Sequence, residues 1–108
     1  MHPIKETLIK ARARIDTADK WTQVAFARTA SDHPTDSGDP NACKFCALGA
    51  LLATLKPHEA DTYAEAVSEL EKYVPHPNNA GVMAFNDTPG RSHSEVLEIF
   101  DKAIANVN

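Results

Sequence analysis

Between Pro40 and Pro57 lies the stretch that most limits how this chain can fold. From Asn41 to Lys56, the residues Ala42, Phe45, Cys46, Leu48, Gly49, Ala50, Leu51, Leu52, Ala53 and Leu55 leave almost no polar face. A segment that is apolar nearly all round must be enclosed on every side. A chain of 108 residues supplies one core in which to enclose it. The spacing predicts a helix over Asn41–Lys56, with Asp39 as N-cap and Pro40 at the first helical position. Gly49 inside such a helix costs about 1 kcal/mol relative to Ala, which implies that a second helix crosses close to it.

Amphipathic neighbours are available to cover this centre. Ile4, Leu8, Ala11 and Ile15 recur at helical spacing behind Pro3 and predict a helix from Pro3 to about Asp16. A second short helix is expected to start near Thr17 or Lys20 and run through Trp21, Val24, Ala25 and Arg28, with Trp21 as a core anchor. Ala60, Tyr63, Ala64, Val67, Leu70 and Val74 stripe a helix from about His58 to Val74, closed by Pro75 and Pro77. Ser92 and Glu95 form a capping box that launches a last helix carrying Val96, Ile99, Phe100, Ala103, Ile104 and Val107. Val82–Phe85 is apolar but short, a strand or a helical turn. Residues 29–41 are rich in turn formers and read as a long polar loop. The expected architecture is therefore all-α: one domain over 1–108, a compact bundle of four to five helices.

Composition narrows the class further. With 43% hydrophobic and 24% charged residues the chain is of ordinary globular make-up, not obligatorily disordered. Aromatics at 6% and only four glycines argue against an all-β sandwich or barrel. No apolar run approaches the roughly 20 residues a membrane span needs, and no signal-peptide core follows Met1, so a cytoplasmic setting is expected. The net charge of -4 gives no global attraction to nucleic acid. Positive charge is nonetheless concentrated early, in Lys5, Lys10, Arg12, Arg14, Lys20 and Arg28, against a predominantly acidic remainder. Surface pairs contribute little each, so this asymmetry reads more readily as complementarity within the molecule than as a docking face.

Three groupings have chemical potential. Cys43-Lys44-Phe45-Cys46 has the spacing of a redox dithiol and of half a zinc site. No readable strand–helix redox setting and no second ligand pair accompany it, and structural thiols are the simpler reading, with no metal or cofactor. Cys46 in the first turns of the central helix could serve as a nucleophile, its thiol pKa lowered by the helix N-terminus. A base would have to come from His76 or His93, and Asn86 or Asp87 would orient it. Phe85-Asn86-Asp87-Thr88-Pro89-Gly90-Arg91 is the densest polar motif. It reads as a turn in which Asp87 faces Arg91, or as a small polar pocket with both aimed at a ligand.

Taken in order, these segments resemble a known group. Trp21 with Ala27-Arg28, then Phe45-Cys46-Ala47-Leu48-Gly49-Ala50-Leu51, then Phe85 to Arg91, then Glu95-Val96-Leu97 is similar to a family of uncharacterised short bacterial and phage proteins classed as a domain of unknown function. The resemblance spans nearly the whole chain. It departs in carrying Phe45 and Phe85 where the family pattern has Trp, and Cys43 falls outside the motif whereas Cys46 falls on it. The resemblance implies a bacterial or phage origin and one compact domain, and no activity. It also implies that Trp21, Arg28, Cys46, Gly49, Asn86, Asp87 and Arg91 gather in one region.

These readings lead to a non-enzymatic protein-interaction module or modulator, its partner another protein, with Trp21, Arg28 and Arg91 as contact residues. The competing reading is a small enzyme or ligand-binding domain centred on Cys46 with Asn86, Asp87 and Arg91.

Overall fold

Residues 3–75 and 81–107 are described by the computed structural model. Helix α1, Pro3–Arg14, buries Ile4, Leu8 and Ala11, and Ile15 just beyond it is buried as well, so the expected stripe faces inward. The second expected helix does not form. Only Ala18–Lys20 closes a 3-10 turn, and Trp21–Phe26 then crosses the molecule as an irregular strap. Its backbone groups find partners there: Thr22 N donates to Phe45 O at 3.0 Å, and Phe26 O accepts from Cys46 N at 3.1 Å. A segment whose backbone is satisfied by tertiary partners gains little from a helix of modest propensity.

The all-α expectation fails at the next step. Strands β1 (Ala27–Thr29), β2 (Pro34–Thr35) and β3 (Ala42–Phe45) form an antiparallel sheet in the order β2-β1-β3, so the fold mixes helices with a small sheet. Ala27 pairs with Thr35 on one side and Phe45 on the other, and a bulge falls between Arg28 and Thr29. Much of the supposed loop at 29–41 is thus a hairpin followed by a turn. Thr29 N donates to His33 O at 2.9 Å, and Asp39 N donates to Asp36 O at 3.0 Å. Asp39 caps no helix, and Pro40 opens none. The Asp39 carboxylate accepts the Thr35 hydroxyl and the Asn41 N–H, and these bonds hold its carboxyl below the usual range. Strands of two to four residues show no alternating apolar pattern, which is why composition concealed them.

The central helix is consequently shorter than its apolar stretch. Asn41–Phe45 belongs to the turn and sheet, and α2 spans Ala47–Thr54 with Cys46 as its N-cap. Ala47 through Leu51 are buried among α1, β3, α3 (Ala60–Glu71) and α4 (Gly81–Asp87). A 3-10 turn at Pro57–Glu59 precedes α3. Val82–Phe85 resolves as helix, within α4. The capping box forms as expected: Ser92 Oγ accepts from Glu95 N at 3.2 Å, Glu95 accepts from Ser92 N at 2.8 Å, and α5 runs from His93 to Asn106. Its Val96, Ile99, Phe100 and Ala103 join one core with Leu8, Leu51, Leu70 and Val82. His93 donates from Nε2 to Ile15 O at 2.5 Å, which satisfies a carbonyl beyond the end of α1. Among the described residues no helix is long and apolar enough to cross a membrane.

Candidate functional site

The end of α4 is buried against the strap and the start of α2, so a polar side chain there needs internal partners. Asn86, only 1% exposed, finds four. Its Oδ1 accepts from Trp21 Nε1 at 2.8 Å and from Ala47 N at 3.0 Å. Its Nδ2 donates to Thr22 O at 3.1 Å and to Asp87 Oδ1 at 2.9 Å. Two donors and two acceptors fill the capacity of a carboxamide. The amide therefore joins the strap, α2 and α4 at one point, and its backbone carbonyl accepts from Gln23 Nε2 at 2.8 Å.

Asp87 does not face Arg91. Its Oδ1 also accepts from Val24 N at 2.9 Å, while Gln23 Nε2 reaches Thr88 O at 2.9 Å. These bonds hold Val24 at φ 68, in the left-handed region that a β-branched residue normally avoids. Val24 is 75% exposed, so no burial of its side chain accounts for the conformation. Phe26 is exposed beside it, and its carbonyl lies on α2 at Gly49. A Cβ on Gly49 would stand 2.7 Å from the Phe26 carbonyl carbon and closer still to its oxygen. The close approach at Gly49 is thus to the strap's backbone, not to a second helix.

Cys46 N-caps α2 with its thiol, Sγ accepting from Gly49 N at 3.2 Å. The residue is 4% exposed and free, as is the exposed Cys43. Burial pushes the Cys46 thiol pKa up, and the Asp87 charge adds to this, against N–H groups of Gly49 and Leu48 that pull it down. The helix N-terminus was expected to lower the thiol pKa, and here desolvation outweighs it. His93, the described histidine considered as a base, bonds Ile15 O and tilts against Trp21 at 6.0 Å between ring centroids. His76 lies outside the described residues.

The two arginines are tied to the framework. Arg28 donates to Thr22 Oγ1 at 2.8 Å, Gln23 O at 3.2 Å and Asp32 O at 3.1 Å, which fastens the strap to β1 and the hairpin turn. Arg91 stacks on Phe85 at 3.8 Å, donates to Phe85 O at 2.9 Å and pairs with Glu95 at 3.1 Å. Trp21, Arg28, Cys46, Gly49, Asn86 and Asp87 are therefore gathered around the strap, and Arg91 adjoins them through Phe85. Among the described residues no group of three or more His, Cys, Asp or Glu side chains could hold a metal ion. Sequence reasoning missed Gln23, Val24 and the Phe26 carbonyl. Gln and Val at those positions look like ordinary helical residues, and nothing in their type marks a strap.

The molecule is a small α/β unit in which the polar motif residues secure a strap across its central helix. Residues 1–106 match the family of unknown function DUF6197, and the chain belongs to that family. No curated protein and no solved structure matches it.

Proposed function

We propose that this chain is a non-enzymatic interaction module, of bacterial or phage origin and acting in the cytoplasm, that presents the strap to another protein. The observation that carries the reading is the conformation of Val24. Strained backbone persists only where the surroundings over-determine it, and such strain clusters at functional surfaces. Here Asp87 and Gln23 fix an exposed apolar residue, with exposed Phe26 two positions on. A pre-ordered apolar contact loses less entropy on binding than a mobile one. Trp21, Arg28 and Arg91 then support the contact rather than make it.

The reading centred on Cys46 is less well supported. A reactive thiol needs a depressed pKa and access. Cys46 is buried, its pKa is pushed up, and its sulfur is occupied as a helix cap. The Asn86 amide has no unused hydrogen-bonding capacity.

Two measurements test the proposal together. A photo-crosslinking residue at position 24, expressed in the natural host, should give one discrete protein adduct. The same residue at exposed Glu98 should not, and Phe26→Asp should abolish the adduct. Iodoacetamide at neutral pH should label Cys43 well before Cys46. Identical adducts from positions 24 and 98, together with rapid labelling of Cys46, would move the function to the thiol.

A further inference from the structure

The apolar surface of the strap has a charge at its edge. Val24 and Phe26 are exposed, and so is Met83, which lies one turn before Asp87 on the same face of α4. Asp87 in turn bonds the backbone of Val24. Its half-buried carboxylate therefore stands where the strap and the exposed face of α4 meet.

The fold uses only part of that carboxylate. Val24 N and Asn86 Nδ2 both donate to Oδ1, each at 2.9 Å. Oδ2 has no hydrogen bond, and Asp87 has no ion pair, among the described residues. The arginines gathered at the strap are committed elsewhere. Arg28 is spent on Thr22, Gln23 and Asp32, and Arg91 on Phe85 and Glu95. An asparagine at position 87 would accept the same two N–H groups through its amide oxygen. The negative charge is thus surplus to the bonding that fastens the strap.

We infer that the strap's partner is a protein segment carrying an arginine or lysine between apolar side chains. The cation donates to Asp87 Oδ2, and the apolar groups cover Val24, Phe26 and Met83. This rests on the reading of the strap as the partner-facing surface, and adds the chemistry of what it meets. A purely apolar partner would strip water from an unpaired carboxylate, which is unfavourable. An acidic partner would set like charges together. A cation brought by the partner removes both penalties.

The test is selection of short peptides from a random-sequence displayed library on the full chain, with counter-selection on Phe26→Ser, which removes the apolar contact without changing charge. Surviving peptides should carry Arg or Lys flanked by apolar residues. Replacing that Arg with citrulline, or that Lys with acetyl-lysine, should weaken binding to the parent at least about tenfold. The same replacement should matter less than about twofold on Asp87→Asn, whose fold a thermal melt and the Val24 amide shift verify. Survivors that lack a cation, or whose neutral forms bind the parent equally well, would overturn the inference and leave the strap as the contact surface. No enrichment, or enriched peptides that bind Phe26→Ser as well as the parent, would overturn the strap reading and the inference with it.

Discussion

Replacing Asn86 with Ala removes four hydrogen bonds from a position that is 1% exposed, and leaves their partners in place. The stranded groups set the magnitude. Ala47 N–H is in a fully buried residue at the first turn of α2, where an unsatisfied donor costs about 1–3 kcal/mol. Trp21 Nε1–H is part-buried, and water entering the vacated space can serve it in part. Asp87 keeps its bond from Val24 N, and Thr22 O loses one donor. The expected total is about 2–4 kcal/mol, a large share of the roughly 5–15 kcal/mol that holds such a domain together. Thermal unfolding should move down by roughly 10–25 °C. Asn86→Asp is the sharper control. It keeps an oxygen for Trp21 and Ala47 but turns a second one toward Thr22 O and Asp87, so it should destabilise at least as much. A cycle with Trp21→Phe isolates one arm, because the indole N–H has already lost its partner in the Ala variant; a coupling near 1 kcal/mol is expected. Urea unfolding in which Asn86→Ala stays within about 0.5 kcal/mol of the parent, at unchanged slope, would refute the junction.

Three other perturbations bear on the same region. Val24→Gly relieves the left-handed strain, worth about 1–2 kcal/mol, against roughly 0.5–1 kcal/mol of added unfolded-state entropy; a gain of up to about 1 kcal/mol in urea unfolding is expected, and a loss would place the strain elsewhere. Gly49→Ala drives a methyl into the Phe26 carbonyl and should cost at least about 2–3 kcal/mol, with hydrogen exchange rising across Trp21–Phe26 before the rest of the fold. Cys46 provides a pH test: its native thiol pKa lies above the ordinary 9.0, so in alkali the unfolded thiol ionises first, and native stability falls as pH rises through that window. Parent stability measured between about pH 8 and pH 10 should therefore decline relative to Cys46→Ser, and parallel curves would contradict the assignment.

Long, periodic elements could be read from the residues because their burial repeats often enough to be seen. Ile4, Leu8, Ala11 and Ile15, and likewise Val96, Ile99, Phe100 and Ala103, return to one side over three or four turns and are buried. The Ser92–Glu95 box is local chemistry and forms as the residues dictate. Asn41–Lys56 misled for the opposite reason. Phe45 and Leu48 are equally apolar, yet one ends a strand and the other lies in a helix, because Cys46 divides them as a cap. Burial on all sides erases the period that distinguishes helix from strand. The sheet was hidden for a related reason. Ala27 and Phe45 face each other across it, a pairing that depends on the path of the strap and not on either residue's neighbours in sequence.

The strap also explains why one motif could be located but not interpreted from sequence. Asn86-Asp87 next to a turn predicts local hydrogen bonding, and Asp87 with Arg91 predicts a pair four residues apart. Asn86 does bond Asp87 beside it, but the two side chains also reach strap residues more than sixty positions away, and Arg91 pairs with Glu95 rather than with Asp87. Local chemistry therefore accounts for the turn after α4, while the polar side chains before it fasten a segment that has no regular structure of its own. Such a segment needs side-chain partners because it lacks a helical or sheet ladder. Asn86, Asp87, Gln23 and Arg28 supply them, and Gly49 leaves room for the Phe26 carbonyl. Loss of any one of these should loosen the same six residues, Trp21–Phe26, before it disturbs α1 or α5, whose burial does not depend on them.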